Sequence, residues 1–412
     1  MAAQEVRTDV CIVGAGPAGM VLALLLLRSG VRVAVVERSR THQREFRGEI
    51  LQPGAMALLD DLGVLAGARA RGALEHSRFR LVEQERVLLD IDYRALPGPH
   101  DHLLSIPQAH VLDELLLHCE KYEGFTWLSG FRVGGLVREG GRVAGVTADG
   151  PDGGRTVLAH CVVGADGRFS KVRRLAGIGA GRNDAFDLDV LWFKLSTDGA
   201  PPGGAAGRDV RVYRASGSPV LVYASWPDRL QIGWTLPHKG YRQAVAGGLE
   251  QLREQLAAAV PPYAGLIREQ VTSLRDLSLL DVFSGRADRW ADHGLVLIGD
   301  AAHTHSPIGA QGINLAVQDA VLLHPLLVSS LAAGDASREF LSAYERRRSP
   351  GIASAMRLQA VQSKAMLSTG RFATRVRPRL AAAVRHTPLH RAVLRRIAYG
   401  DPRIRIAREC FR

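Results

Sequence analysis

The chain has 412 residues, of which 46% are apolar, and it carries a formal net charge of +12. This length exceeds the size at which one hydrophobic core keeps growing, so we expect two closely packed domains rather than one. The longest strongly apolar run, Met20 to Leu27, is too short to cross a bilayer, and the N-terminus lacks a signal-peptide pattern. The sequence therefore predicts a soluble, cytoplasmic protein without integral membrane association.

The positive charge is concentrated at the C-terminal end of the chain. From Arg371 onward there are twelve arginines against Asp401 and Glu409, so this tail carries +10 and the rest of the chain carries +2. A basic tail can contact anionic lipid or another polyanion, but basic runs are more often the solvated faces of helices that pack through apolar positions. We therefore expect no nucleic-acid partner.

Residues that commonly bind metals show no metal-ligand spacing. The four cysteines, at positions 11, 119, 161 and 410, are scattered without a CxxC pair, which predicts reduced and inert thiols. His303 and His305 are close in sequence, but no third ligand stands nearby. The sequence predicts no metal site.

The first elements in the chain are a strand, a glycine turn, a helix and a second strand. Asp9 to Gly14 and Val31 to Glu37 have strand character, and Pro17 to Ser29 is apolar and helix-like. The turn matches GxGxxG, in which the first glycine permits a tight turn, the second admits a pyrophosphate and the third lets the helix pack on the strand. This βαβ unit predicts dinucleotide binding through Gly14, Gly16, Ala18, Gly19, Glu37 and Arg38, with Glu37 placed to bind a ribose.

The middle of the chain, from about Gly181 to Ser284, has a different composition. Pro201 to Gly204 marks a loop, and aromatic strand-like runs follow it around Tyr213, Tyr223 and Trp234. This composition predicts a largely β module inserted into an α/β domain.

A second buried strand follows that module. Leu295 to Ile298 leads into Gly299-Asp300, and a turn that contains proline and glycine then opens a helix over Gly312 to Leu327. A carboxylate after a buried strand can bind sugar-alcohol hydroxyls, and a helix N-terminus can stabilise the negative charge of a reduced flavin ring. These features favour FAD over NAD as the bound dinucleotide.

Three signatures occur in a fixed order over about the first 350 residues: GxGxxG at Gly14, Asp166-Gly167 with Arg173 shortly after, and Gly299-Asp300. Together they resemble the single-component flavoprotein hydroxylases of the para-hydroxybenzoate hydroxylase type. The resemblance implies that Glu37 binds the adenosine ribose and Asp300 the ribityl chain. It also implies that Asp166 and Gly167 lie near the pyrophosphate and help with the nicotinamide donor.

The same resemblance implies residues around the flavin ring. Arg47 and Gln108 would lie beside the cofactor, Pro307 would pack near the ring, and backbone N–H groups would come from Gly309, Gly312, Ile313 and Asn314. Arg47, Pro307 and His305 are the candidate catalytic residues, although His305 and above all His303 can instead be structural residues held by local hydrogen bonds. Ser306 departs from the family pattern, because many relatives have a proline there.

The implied activity is that of an FAD-dependent monooxygenase that uses NAD(P)H and O₂. The reduced flavin would form a C4a-hydroperoxide that hydroxylates a phenolic or polycyclic aromatic substrate, a class that includes secondary metabolites. The β module would cover the substrate, with Trp192, Tyr213, Tyr223 and Trp234 as lining candidates that are equally plausible as core residues. The alternatives are a flavin oxidoreductase without oxygen insertion and a non-catalytic flavin-binding protein docked through its basic tail; monomer and homodimer both stay open.

The predicted fold is α/β, with a Rossmann-like FAD-binding domain interleaved with a β-sheet substrate domain and followed by a helical C-terminal region. The predicted segments are 1–75, 101–180 and 285–350 for the FAD-binding domain, 76–100 and 181–284 for the substrate domain, and 351–412 for the helical region.

Overall fold

The computed structural model describes residues 4–42, 49–83, 86–183, 188–198, 209–214, 219–367 and 387–412. In chain order, its strands are β1 (Gln4–Val13), β2 (Val33–Glu37), β3 (Ile50–Leu51), β4 (Leu74–His76), β5 (Arg78–Glu83), β6 (Arg86–Asp92), β7 (Leu103–Ser105), β8 (Phe125–Ser129), β9 (Arg132–Glu139), β10 (Arg142–Gly150), β11 (Gly153–Gly164), β12 (Ala180–Asn183), β13 (Leu188–Ser196), β14 (Asp209–Arg214), β15 (Pro219–Ser225), β16 (Arg229–Pro237), β17 (Ser278–Leu280), β18 (Ser284–Ala287), β19 (Ala291–Asp292), β20 (Leu295–Leu297) and β21 (His303–Thr304). The α-helices are α1 (Pro17–Arg28), α2 (Pro53–Asp61), α3 (Leu65–Ala70), α4 (Gln108–Cys119), α5 (Lys171–Leu175), α6 (Tyr241–Val245), α7 (Gly248–Ala259), α8 (Ala264–Gln270), α9 (Gly312–Ala333), α10 (Arg338–Leu367) and α11 (Pro388–Tyr399).

The first sheet has a parallel centre built by the predicted βαβ unit. Strand β1 pairs in parallel with β2 on one side and β11 on the other, and β8 and β20 extend the sheet in parallel beyond them. Strands β9, β10 and β19 add antiparallel pairs at its margins. Parallel strands are buried on both faces, which explains the continuous apolar runs in β1, β2 and β20.

Helix α1 is the central helix of this layer. It begins with Pro17, whose fixed φ suits a first helical turn, and ten of its residues, from Ala18 to Leu27, are buried. A helix that is apolar on all sides is stable only when it is enclosed. Contacts with α4, α9 and the strands enclose α1, so its start is held rigidly beneath the glycine turn.

The second sheet has seven strands in the order β17-β13-β16-β15-β14-β5-β6. Its strands come from two separate stretches, 78–92 and 188–280, which lie within the segments predicted for the substrate domain. Side chains alternate between its two faces, so Leu191 and Trp192, which are adjacent in β13, pack into apolar clusters on opposite sides of the sheet. On the outer face, Leu191 pairs across the strand with Trp234, and this face packs under α7 and α8.

Within the described residues, the C-terminal part of the chain is largely helical, as predicted, and its first helix begins before residue 351. Helix α10 continues from Arg338 to Leu367 through Pro350, so no break occurs at the predicted boundary. Helix α11 packs against α2, and the Arg412 N–H donates to the Arg28 carbonyl oxygen at 2.9 Å.

These elements confirm the predicted α/β fold class, while the exact division into segments stays a prediction. Burial raises the pKa of the Cys11, Cys119 and Cys161 thiols to about 12, whereas Cys410 is partly exposed. Within the described residues, α9 is long and apolar enough to cross a membrane, although most of its apolar stretch is buried inside the protein.

Candidate active site

The glycine turn after β1 is shaped for close contact between its backbone and a ligand. Gly14 has a φ of +107°, which L side chains rarely adopt, and a Cβ on Gly19 would overlap the Gly14 carbonyl oxygen. A Cβ on Gly16 would instead meet no atom within 4 Å. Gly16 is also the N-cap of α1, where no described side chain occupies the free N–H groups. Open space in front of unpaired N–H groups fits a pyrophosphate.

Glu37 braces this turn from the end of β2. Its Oε2 atom accepts a hydrogen bond from the Ala15 N–H at 2.8 Å, and its Oε1 atom accepts one from the Ser39 N–H at 3.0 Å. The Glu37 side chain is buried, whereas the neighbouring Arg38 is exposed. The carboxylate is therefore fixed beside the turn, where the sequence predicts a ribose.

The three signature motifs meet at this turn. A Cβ on Gly14 would come within 2.9 Å of the Asp166 Cα, and one on Gly299 would come within 3.3 Å of the Ala18 Cβ. The Asp166 carboxylate accepts hydrogen bonds from the Ser170 hydroxyl and from the Lys171 and Val172 N–H groups at the start of α5. Asp166 thus orders α5, and Gly167, with a φ of +85°, turns the chain beside the glycine turn.

Asp300 lies at the edge of a cleft, within reach of Arg168. Its Oδ2 atom is 3.6 Å from the Arg168 guanidinium. Arg173 donates to the Ala301 carbonyl oxygen at 2.8 Å and to the Arg168 carbonyl oxygen at 3.2 Å. These bonds tie the second motif to the third, which explains why the arginine after Asp166-Gly167 matters for the site.

The cleft beside Asp300 has a volume of about 220 Å³ and is rich in arginine. Arg168, Arg173, Arg182 and Arg286 line it, together with Phe169, of which 61% is exposed. The Arg182 guanidinium lies 4.4 Å from the centre of the Phe283 ring, also in the lining. Guanidinium groups and aromatic faces suit a molecule that carries both phosphates and flat rings.

The turn between β21 and α9 is held by three side-chain amides. Gln52 and Gln311 donate to the Gly309 carbonyl oxygen at 2.7 and 3.1 Å. Gln359 donates to the Ser306 and Ile308 carbonyl oxygens, both at 3.1 Å. Gly309 has a φ of +78°, a conformation that L side chains rarely adopt, and the amides fix the course of the turn around it. Pro307, half-buried, lies within the turn.

The start of α9 offers polar groups without internal partners. A Cβ on Gly312 would meet no atom within 4 Å, and Ile313 beside it is half-buried. The buried Oδ1 atom of Asn314 and the buried Oε1 atom of Gln108 have no hydrogen-bond partner in the described part of the chain. Buried polar atoms normally have partners, so these two fit a bound polar cofactor. Arg47, predicted beside them, lies outside the described residues.

His305 belongs to a buried chain of polar groups. Its Nε2 atom is 2.6 Å from His303 Nδ1, and His303 Nε2 is 2.7 Å from an Asp319 carboxylate oxygen. The other oxygen of Asp319 accepts a hydrogen bond from Arg348 at 2.6 Å. Burial lowers the pKa of His305 well below its ordinary value, and His303 lowers it further. His305 is therefore neutral near pH 7, and its Nδ1 has no partner among the described residues.

The predicted substrate-lining residues lie on opposite faces of the seven-stranded sheet. Trp192 and Tyr223 are buried in a cluster that also contains Ile308 and Ala310 of the turn before α9. Tyr213 and Trp234 point the other way, into the core beneath α7 and α8. The structure thus brings only Trp192 and Tyr223 towards the turn before α9. Successive side chains of a strand point to opposite faces of the sheet, so Tyr213 and Trp234 face away from this turn.

One cluster of two aspartates and a histidine has the geometry to hold a metal ion, although the sequence predicts no metal site. Ligand atoms of Asp189, His238 and Asp281 lie within 4.8 Å of one another. Asp189 already accepts backbone N–H groups from Lys239 and Val282, and Asp281 forms an ion pair with Arg182. Both carboxylates are satisfied by protein groups.

Several residues of the site have no signal in the sequence. Gln52, Gln311 and Gln359 resemble ordinary surface glutamines until the fold places them around one turn. Asp319 lies on the helix predicted over Gly312 to Leu327, whereas Arg348 precedes the predicted helical region 351–412. Asp319 is the one Asp, Glu, Lys or Arg in α9, and a single charge in a largely buried helix is the pattern that could have indicated a buried pair.

The fold and these motifs match known flavoproteins. The model of the FAD binding domain family matches residues 7–359. A 6-methylpretetramide 4-monooxygenase from Streptomyces rimosus is 56% identical over 409 residues, which is 99% of this chain and 96% of that protein.

Two solved structures have the same fold. The anhydrotetracycline hydroxylase from Streptomyces rimosus is 26% identical, with a TM-score of 0.74 over 98% of this chain and 78% of that one. The p-nitrophenol 4-monooxygenase from Pseudomonas putida is 20% identical, with a TM-score of 0.80 over 96% of this chain and 99% of that one, a likeness in fold alone.

The glycine turn, the open start of α9 and the unpartnered acceptors of Asn314 and Gln108 agree with these matches. The predicted cofactor, FAD, and the predicted enzyme class are confirmed, and NAD(P)H is the electron donor of such enzymes. The chain belongs to the FAD binding domain family and is an FAD-dependent monooxygenase.

Proposed function

We propose that this enzyme hydroxylates a polycyclic phenolic compound of the 6-methylpretetramide type. The observation that carries the proposal is the 56% identity to a 6-methylpretetramide 4-monooxygenase, which extends over 99% of this chain. The site supports it, because buried aromatic side chains, Trp192 and Tyr223, form the wall that shares a cluster with the flavin turn. Flat aromatic molecules bind favourably to such surfaces, because stacked or edge-to-face aromatic rings stabilise each other beyond the area that they bury.

The residues of the three motifs are proposed to hold the FAD. Gly14, Gly16, Ala18 and Gly19 fit the pyrophosphate, and Glu37 with Arg38 would bind the adenosine end. Asp166 and Gly167 would shape the same turn, and Asp300 would bind the ribityl hydroxyls. Backbone N–H groups from Gly309, Gly312, Ile313 and Asn314, with Gln108 and Arg47, would surround the ring. When bound, FAD supplies the redox chemistry that joins NAD(P)H oxidation to oxygen activation.

The chain's own contribution is positioning and the exclusion of water. The amides of Gln52, Gln311 and Gln359 fix the turn that carries Pro307, so the reacting groups would meet in one geometry. The apolar cluster containing Trp192 and Tyr223 keeps the substrate side dry. Burial keeps His305 neutral and makes it a weak base, so its catalytic contribution is proposed to be a hydrogen bond from a substrate hydroxyl to Nδ1, which has no partner among the described residues.

The arginine cleft beside Asp300 is proposed to receive an anionic part of a dinucleotide. Arg168 and Arg173 belong to the motif that the family resemblance links to the nicotinamide donor. The planar guanidinium of arginine can donate two parallel hydrogen bonds to phosphate oxygens, whereas the compact ammonium of lysine cannot. The choice between NADH and NADPH would depend on how these side chains meet a ribose phosphate.

A cytoplasmic location is proposed on two grounds. NAD(P)H is an intracellular reductant, and the buried thiols of Cys11, Cys119 and Cys161 are unpaired, as expected in a reducing compartment. Monomer and homodimer both fit, and a sedimentation-velocity measurement on the FAD-loaded protein would decide between them.

Incubation with 6-methylpretetramide, NAD(P)H and ¹⁸O₂ tests the proposed activity. We expect the product to gain one hydroxyl group that carries ¹⁸O, because a monooxygenase transfers one atom of O₂. An unlabelled product, or an oxidised product without an added oxygen atom, would instead establish the alternative flavin oxidoreductase. Failure of a whole panel of phenolic tetracycles to stimulate NAD(P)H consumption would refute the substrate class.

A further inference from the structure

Helix α11, in the basic tail, reaches the apolar cluster beside the flavin turn. Among its members, this cluster contains Trp192 and Tyr223 of the seven-stranded sheet and Leu394 and Ala398 of α11, and Ile308 of the turn packs against it. Leu394 is 3% exposed and Ala398 is completely buried. A tail that only carried charge would not contribute side chains to this cluster.

The end of α11 is fixed directly to the start of α9. The final carbonyl groups of a helix lack partners within that helix. Gln311 donates to the Ile397 carbonyl oxygen at 2.6 Å, and Gln318 donates to the Tyr399 carbonyl oxygen at 2.8 Å. Gln311 also donates to Gly309, so one side chain bonds both to the flavin turn and to α11. Gln311, one of the three residues that order the turn, therefore also fixes the position of α11.

The two faces of α11 have different compositions. Arg391, Val393 and Arg395 are exposed, while Leu394 and Ala398, which are four residues apart, lie on the buried face. The arginines of this part of the tail thus form a solvated face, and the apolar positions perform the packing.

We propose that α11 forms a third wall of the substrate site and that Leu394 is a specificity-determining residue. The inference rests on the proposed function, because it assumes that an aromatic substrate binds between the flavin turn and the Trp192 face of the sheet. Leu394 is the larger of the two buried cluster side chains on α11, so its volume would limit the length of the fused-ring molecule that the site accepts. The ligand class is a flat, fused-ring phenol.

Equilibrium binding to the FAD-loaded enzyme tests the proposal. The probes are phenols of one to four fused rings, ending with 6-methylpretetramide, and binding is followed by the change in the flavin absorption spectrum. The variants are Leu394→Ala, Leu394→Phe and Leu394→Met, and Val393→Ala on the exposed face of the same turn is the matched control. Thermal unfolding and FAD content are measured for each variant, so that a folding defect is recognised.

We expect Leu394→Phe to weaken binding of the four-ring phenol about tenfold and that of one-ring phenols by less than about twofold, which changes the order of preference. Leu394→Ala should lower the product formed per NAD(P)H consumed, because water enters the enlarged site. Val393→Ala should match the wild type. If the Leu394 variants retain FAD yet bind every phenol as the wild type does, the wall assignment is wrong. If the wild type itself binds no phenol, the proposed function is wrong, and the inference falls with it.

Discussion

The Nδ1 atom of His303 lies 2.6 Å from the Nε2 atom of His305, inside the protein. Through its other ring nitrogen, His303 contacts Asp319 on α9, and Asp319 contacts Arg348 on α10. Asp319 also accepts the Gly299 N–H at 2.8 Å, beside Asp300. This chain of contacts connects the residue before the ribityl-binding candidate with the two longest helices, so the site and the helical layer share one buried network.

Asp319→Asn should destabilise the protein more than any surface substitution. The change leaves the Arg348 guanidinium, only 2% exposed, without its charged partner, and breaking a buried pair costs about 3–5 kcal/mol. Urea denaturation should show the loss in the free energy of unfolding, and FAD should dissociate more readily. The surface substitution Asp401→Asn, which breaks the exposed ion pair with Arg403, is the control and should change stability by less than about 1 kcal/mol.

Stability should fall as the pH is lowered from 6.5 towards 4, in part because of His324. Burial lowers the pKa of His324 to about 4 in the folded protein, whereas an unfolded histidine has a pKa near 6.5. The unfolded state therefore binds more protons in this window, so the contribution of neutral His324 is present above pH 6.5 and is lost as the pH falls to 4. The loss amounts to about 3 kcal/mol.

Unfolding of His324→Gln across that pH range checks this linkage. Between pH 6.5 and 4, the variant should have a flatter stability profile than the wild type. A slope for His324→Gln equal to that of the wild type would contradict the assignment. The Nε2 atom of His324 is 2.7 Å from the Ser29 hydroxyl, so some loss of stability at all pH values is also expected.

Two glycines of the first motif should respond differently to alanine. In Gly19→Ala, the added methyl group overlaps the Gly14 carbonyl oxygen, so α1 has to move away from β1 and the fold is damaged. In Gly16→Ala, the methyl group enters open space, so thermal stability without cofactor should change by about 1 kcal/mol or less, while FAD affinity should fall at least tenfold. Differential scanning fluorimetry with and without added FAD separates the two effects. Equal FAD affinity for Gly16→Ala and the wild type would show that no phosphate approaches this position.

Asp300→Ala should yield a folded protein that loses its yellow colour on gel filtration. The carboxylate is one-third exposed and faces the cleft, so its removal leaves no buried charge unpaired. Asp281→Ala is a suitable control, because Asp281 forms an exposed ion pair with Arg182 near the same cleft. FAD content after desalting is the measurement. An Asp300→Ala protein that stays fully yellow would exclude a role in holding the ribityl chain.

The sequence indicated the motifs well because each motif is local. Gly14 to Gly19 and Gly299-Asp300 specify their own turns, so a strand, a helix and a carboxylate could be placed without knowledge of the fold. The three glutamines that hold the turn before α9 were not predictable in this way. Gln52 and Gln359 are 307 positions apart in the chain, and each donates to backbone carbonyl oxygens, a contact that leaves no pattern in the sequence. The role of α11 was hidden for the same reason, since its partners on α9 are remote in sequence.

The aromatic residues of the β module show a different limit. Their presence was read from composition, but the face that each side chain occupies depends on strand register. Trp192 stands opposite Gly233, and Leu191 stands opposite Trp234, so the two tryptophans of adjacent strands belong to opposite faces. A one-residue difference in the register of β13 against β16 would have placed both tryptophans on the same face. The alternation of side chains within β13 predicts that Leu191 and Trp192 lie on different faces of the sheet. It does not predict which of the two faces lies against the flavin turn, because that depends on how the sheet packs in the fold.

These two tryptophans provide a matched test of the sheet's two faces. Trp192→Phe removes aromatic area from the cluster that contains Ile308, so the KM for the aromatic substrate should rise several-fold and less product should form per NAD(P)H consumed. Trp234→Phe alters only the core under α7 and α8, so it should lower the free energy of unfolding by about 1–2 kcal/mol with little change in KM. Steady-state kinetics and urea denaturation on both variants give the comparison. If Trp234→Phe changed KM as much as Trp192→Phe, the substrate would not bind on the face assigned to it, because the seven-stranded sheet itself separates the two side chains.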